Sequence, residues 1–227
     1  MITVEICIPS RASAIAAKEG GAQRVELCRS LEVGGLTPSD DDIDYCVHTL
    51  GLRTHVLVRP RGGDFCYNAA EVAEIERAIM RCKELGAHAV VIGFLTRDGK
   101  VDTELTRRMV QLAAPMEVTF HRAFDEARQE PIEALQAIAD CGCQRLLTSG
   151  QKPTAVEGAS VIKRLVEAAK VTILAGSGVT PDNVRQLIAA TGVTEVHGSC
   201  KTTLPDGTLQ TDAEQVRRLL SVVAPTV

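Results

Sequence analysis

The chain has 227 residues, 45% hydrophobic and 3% aromatic with no tryptophan, and a formal net charge of −4. Its lysines and arginines are scattered, and with so few rings this argues against a nucleic-acid surface. No run of 18 apolar residues and no charged leader ahead of an apolar stretch is present. Neither a membrane span nor a signal peptide is therefore expected, and the eight cysteines are expected to be reduced cytosolic thiols.

Strand patterns recur at 2–7, 24–28, 54–59, 88–93, 116–121, 144–149, 171–176 and 193–197. Amphipathic helical patterns lie between them at 11–19, 38–50, 69–85, 102–113, 130–141, 156–169 and 180–191, with a last one at 211–223. Thr37-Pro38 and Thr180-Pro181 have the form of a capping hydroxyl before Pro at the first helical position. Glycines 20, 86, 142 and 192 close helices. Eight strands alternating with eight helices predict one α/β domain over residues 1–227, a (β/α)8 TIM-like barrel. A doubly wound sheet would carry a glycine-rich turn after the first strand, where this chain has Ile8-Pro9-Ser10.

The alternation of strand side chains then sorts residues by face. If the branched apolar residues face the helices, Glu5, Cys7, Glu26, Cys28, His55, Leu57, Arg59, Glu117, Thr119, His121, Arg145, Leu147, Ser149, Glu195 and His197 point into the barrel. Four interior carboxylates need partners, and Arg59, Arg61, Arg122 and Arg145 are the expected ones. Glu5, Glu117 and Arg145 read as a structural ion-pair network. Cys7, Cys28, Arg59, His121 and His197, at strand ends, read as the functional mouth.

Three loops join that mouth. Arg59-Pro60-Arg61-Gly62-Gly63 offers two guanidiniums for an anion. His121-Arg122-Ala123-Phe124-Asp125 offers an imidazole, a cation and a carboxylate for acid/base work. Ser149-Gly150 and Gly176-Ser177-Gly178 offer backbone N–H groups for a phosphate or other anion. No lysine falls on an inward strand position, which counts against Schiff-base chemistry. A divalent metal on Glu26, Glu195, His121 and His197 is a further, weaker expectation, because the arginines oppose it. Cys7 and Cys28 end adjacent strands about 5 Å apart, and two soft thiolates at that spacing suit Cu(I). Cys46, Cys82, Cys141 and Cys143 read as packing.

"VEIC", "RVELC", "GGLTPS", "RPRGGDFCY", "VTFHRAFD", "LTSGQ" and "EVH" occur in this order, and the sequence resembles the CutC family from Val4 to about Ser199. The resemblance implies a TIM-like barrel, a cytoplasmic homodimer and a link to copper homeostasis, with Cys7 and Cys28 at the positions of the proposed Cu(I) ligands. After the eighth strand the chain reads His197-Gly198-Ser199-Cys200, where family members often read His-Ser-Ser or His-x-Ser. Cys200 is an added candidate thiolate. Two readings follow: copper binding and handling, or an enzyme (hydrolase, isomerase or lyase) on a small anionic or phosphorylated metabolite. In the enzyme reading the candidates are Glu26, Arg59, Arg61, His121, Arg122, Asp125 and His197. A third reading is a scaffold whose polar interior is only an ion-pair core.

Overall fold

The computed structural model describes residues 2–168, 171–205 and 207–224. Eight parallel strands close a barrel in chain order: β1 (Thr3–Ile8), β2 (Arg24–Leu27), β3 (Arg53–Leu57), β4 (Ala89–Ile92), β5 (Glu117–Phe120), β6 (Arg145–Thr148), β7 (Thr172–Ala175) and β8 (Glu195–Gly198). β1 pairs with β2 and β8, in the register Glu5 to Arg24 and Glu5 to His197. The helices are α1 (Arg11–Glu19), α2 (Asp40–Asp44), α3 (Ala69–Glu84), α4 (Thr103–Ala113), α5 (Ala123–Glu126), α6 (Pro131–Asp140), α7 (Ala159–Ala168), α8 (Val184–Thr191) and α9 (Ala213–Val223). A π-helical turn, Tyr45–Thr49, extends α2. The helix expected over 156–169 ends in a residue, Ala169, outside the described residues, as does Lys170.

Alternation does what the sequence predicts. Ile6, Val25, Val56, Val90, Val118, Leu146 and Val196 are buried in the layer between strands and helices. Cys7, Cys28, Leu57 and Val91 form a separate small apolar cluster inside the barrel, covered by Leu31. At about 25 cal/mol per Å2, the outer layer carries most of the hydrophobic stabilisation.

Two capping assignments differ. Ser39, not Thr37, caps α2, accepting from the N–H of Asp42. The Thr37 hydroxyl instead bridges to the backbone of Arg59, accepting from its N–H at 2.9 Å and donating to its carbonyl at 3.1 Å. Likewise α8 starts at Val184, because residues 181–183 form a turn in which Asn183 accepts from the N–H of Thr180 at 2.9 Å. The segment after β8 is a hairpin, β9 (Lys201–Thr203) against β10 (Leu209–Thr211).

Candidate functional site

Charged groups fill the barrel in storeys. At the N-terminal end Glu195 accepts from Arg24 at 2.5 Å and from Arg145 at 2.7 Å. Arg145 also pairs with Glu117 at 3.2 Å, and Arg53 reaches Glu117 at 2.9 Å. This plug takes Glu195 out of reach of the mouth, so the metal set of Glu26, Glu195, His121 and His197 is not assembled. Arg24 and Arg53 complete the network.

One storey up, Glu5 is fully buried and meets three cationic or ionisable partners: Arg24 Nε at 3.0 Å, His55 Nδ1 at 2.7 Å and His197 Nδ1 at 3.0 Å. Burial alone would raise its pKa, but hydrogen bonds and charge from His197 and His55 hold the carboxyl well below the usual range. His197 is the reverse case. Burial opposes its charge, yet Glu26, Cys7 and Glu5 outweigh that and hold it well above the usual imidazole range. Glu26 sits 3.5 Å from His197 Nδ1. Burial pushes Glu26 up to about 7 against the pull of His197, and Glu5 adds to the rise. Glu5, Glu26 and His197 place ligand-type atoms within 4.8 Å of one another.

Above this storey the sulfurs of Cys7 and Cys28 lie 3.9 Å apart, both buried and both free thiols. The Cys28 thiol and burial raise Cys7 well above its usual pKa, with His197 opposing. Gly35, in the left-handed region at φ 88°, closes over the pair. A Cβ there would meet Leu57 Cδ2 at 2.6 Å and Cys28 Cβ at 3.6 Å, which explains a glycine at this turn. Cys200 lines the same cavity but packs in the outer hydrophobic layer, and burial pushes it up to about 12.

The pair opens into a cavity of about 920 Å3, walled also by His121, Arg122, Ser177 and Gly178. His121 accepts from the N–H of Ala123 through Nδ1 at 3.1 Å. Its proton therefore sits on Nε2, which is buried without a partner among the described residues. Burial, Arg59 and Arg122 lower its pKa to about 3. The sequence offers His121 for acid/base work; the structure holds it as a neutral hydrogen-bond donor. Gly93 makes room for it: a Cβ there would meet its Nδ1 at 2.3 Å.

The arginine loop does not form the expected anion grip. Arg59 donates to the carbonyls of Val33, Gly35 and Gly63 at 2.7–3.3 Å and lies 4.8 Å from the Phe65 ring centre. It organises the loops above the cysteines. Arg61 pairs with Glu71 at 2.6 Å and Asp64 at 3.0 Å, away from the cavity wall. The expected anion cradle at Ser149 and Gly150 is filled from within. Asp125 accepts from the N–H groups of Ser149 and Gln151 at 3.0 Å each, from the Thr148 hydroxyl at 2.5 Å and from Arg122 Nε at 2.9 Å. Asp125 is therefore a latch between the loops after β5 and β6. Asp125→Ala leaves those donors unpaired and is expected to cost about 3 kcal/mol, read as a lowered midpoint in urea unfolding.

The sequence matches the family model described as the CutC family over residues 2–202. It is 49% identical over 200 residues to the CutC protein of Chromobacterium violaceum, covering 87% of this chain and 81% of that one. It is 39% identical over 206 residues to the human protein called copper homeostasis protein cutC homolog, covering 90% and 75%. The crystal structure of a CutC protein from Streptococcus agalactiae superposes with a TM-score of 0.83 at 33% identity, covering 88% of this chain and 99% of that one. A phosphoribosyl anthranilate isomerase from Thermococcus kodakaraensis, with a TM-score of 0.66 at 13% identity over the full length of both chains, shares the barrel fold alone. The chain belongs to the CutC family.

Proposed function

We propose that the protein serves copper homeostasis by binding Cu(I) between Cys7 and Cys28. The observation that carries this reading is the pair of thiols 3.9 Å apart at the floor of an open cavity. Soft thiolates select Cu(I), whereas hard divalent ions prefer oxygen. Glu5, the carboxylate a divalent ion would need, is already engaged by Arg24 and His55.

With a metal–sulfur distance of about 2.3 Å, as in zinc thiolates, sulfurs at this separation subtend roughly 115° at an ion between them. That angle suits three ligands better than two. His197 supplies the third: it lines the same cavity as the cysteines, and its Nδ1 is held by Glu5 at 3.0 Å. A carboxylate behind an imidazole is the arrangement that orients metal-bound histidines. Both thiols and the His197 imidazolium must lose protons on loading; Glu26 beside them can take one, and the others leave to solvent through the cavity.

Anaerobic titration with Cu(I) against a competing chelator tests the reading. One equivalent bound tightly by the parent and lost in Cys7→Ala/Cys28→Ala supports it; equal binding by both proteins refutes it. The proposal includes a cytoplasmic location, where the eight cysteines stay reduced, and a homodimer, both on the strength of the family resemblance. Light scattering on the purified protein reads the second.

A further inference from the structure

A single copper ion leaves most of a 920 Å3 cavity unexplained, since this volume is of the size that holds a small organic ligand, about 300–1,000 Å3. Its wall carries polar groups that no described residue satisfies. His121 Nε2 is a buried donor without an acceptor among the described residues. Each such group costs about 1–3 kcal/mol unless something binds it.

The opposite lip, after β7, has donors of a second kind. Among the described residues no acceptor meets the backbone N–H groups of Ser177, Gly178 or Val179, and all three residues line the cavity. Ser177 holds a φ of 77° and Gly178 a φ of 71°. A serine in that region is strained, and its hydroxyl is tied to the Pro153 carbonyl at 2.8 Å, so the turn is fixed in this form. The neighbouring loop shows how this barrel treats a similar cradle: there Asp125 supplies the anion to the N–H groups of Ser149 and Gln151. No acidic side chain of the described residues does so at Ser177–Val179. Arg122, in the loop after β5, borders the same cavity. Its Nε pairs with Asp125 and one terminal nitrogen donates to Ser149 Oγ at 3.1 Å, while Nη1 has no acceptor among the described residues.

We propose that this cavity binds a small organic phosphate, with its phosphoryl group on the N–H groups of Ser177–Val179 and on Arg122, and an uncharged oxygen at its other end on His121 Nε2. Successive backbone N–H groups with one guanidinium suit a compact dianion. A neutral imidazole N–H suits a carbonyl or hydroxyl oxygen, the pairing that polarises a carbonyl in other barrel sites. The site is separate from the cysteine pair and does not depend on copper.

The test uses the reduced, metal-free full-length protein. Inorganic phosphate and then dihydroxyacetone phosphate are titrated while backbone amide and imidazole nitrogen signals are followed by NMR. Saturable shifts at Ser177, Gly178 and Val179 with phosphate, a further shift at His121 Nε2 with the ketone, and about tenfold weaker phosphate binding in Arg122→Gln are expected. Absence of saturable shifts at those amides, or shifts centred elsewhere, overturns the proposal. A single cooperative thermal transition of Arg122→Gln, lowered by the lost Asp125 contact, shows that the variant is folded. Repeating the titration in Cys7→Ala/Cys28→Ala separates this site from the copper reading, because the phosphate response is expected to survive there.

Discussion

Glu5→Gln is expected to destabilise the protein by about 3–5 kcal/mol at neutral pH, the cost of removing one partner from a buried ion cluster. The carboxylate is the shared counter-charge for Arg24 and His197 and a contact of His55, all within 3.0 Å. Glutamine keeps the shape and removes the charge, leaving cationic groups without compensation. The pH dependence carries the same signature. Glu5 has a depressed folded-state pKa, so its contribution is present above the unfolded value and is lost as the pH falls through the folded one. His197 has a raised folded-state pKa, so its contribution is full below the unfolded value and is lost as the pH rises through the folded one. The parent is therefore expected to lose stability toward acid below about pH 4.5 more steeply than Glu5→Gln. Urea midpoints measured across pH check this; parallel curves for the two proteins would mean that Glu5 does not carry the charge of the cluster.

Cys7→Ala/Cys28→Ala is expected to abolish the thermal stabilisation that Cu(I) confers. A ligand that binds only the native state stabilises by about 4 kcal/mol at a thousand times its Kd, so the parent should melt several degrees higher when loaded anaerobically. The double variant should show no shift. Its own stability should fall only modestly, because each substitution removes one sulfur from a cluster whose other members are Leu57, Val91 and Leu31. Differential scanning calorimetry with and without Cu(I) reads both effects. A loaded variant that still gains the parent's increment would move the metal elsewhere.

The barrel and its inward face were legible because both follow from period. Glu26 and Cys28 lie two residues apart in the β2 segment, and Val25 and Leu27, alternating with them, identify the helix side. Arg24 lies on the same face two residues earlier, but a strand's first residue reads from sequence as its solvent end. The structure places it between Glu5 and Glu195. What the side chains of the loops do was less legible. Nothing local to Asp125 announces that it will reach the backbone of residues 149–151, and nothing local to Arg59 announces that three carbonyls will take its guanidinium. Those partners are set by where successive loops meet at the barrel rim. The neutrality of His121 has the same origin, in the burial and the two arginines around it. The hairpin β9–β10 had a signal that could have found it, the turn residues Pro205 and Gly207 between Thr202-Thr203 and Thr208.

X-ray absorption at the copper edge on the protein loaded anaerobically with one equivalent of Cu(I) tests the central claim most directly. Two sulfur neighbours and one imidazole nitrogen are expected, with the nitrogen lost in His197→Gln and the sulfurs lost in Cys7→Ala/Cys28→Ala. A copper environment of nitrogen and oxygen alone, or one unchanged by removing the two cysteines, would contradict it.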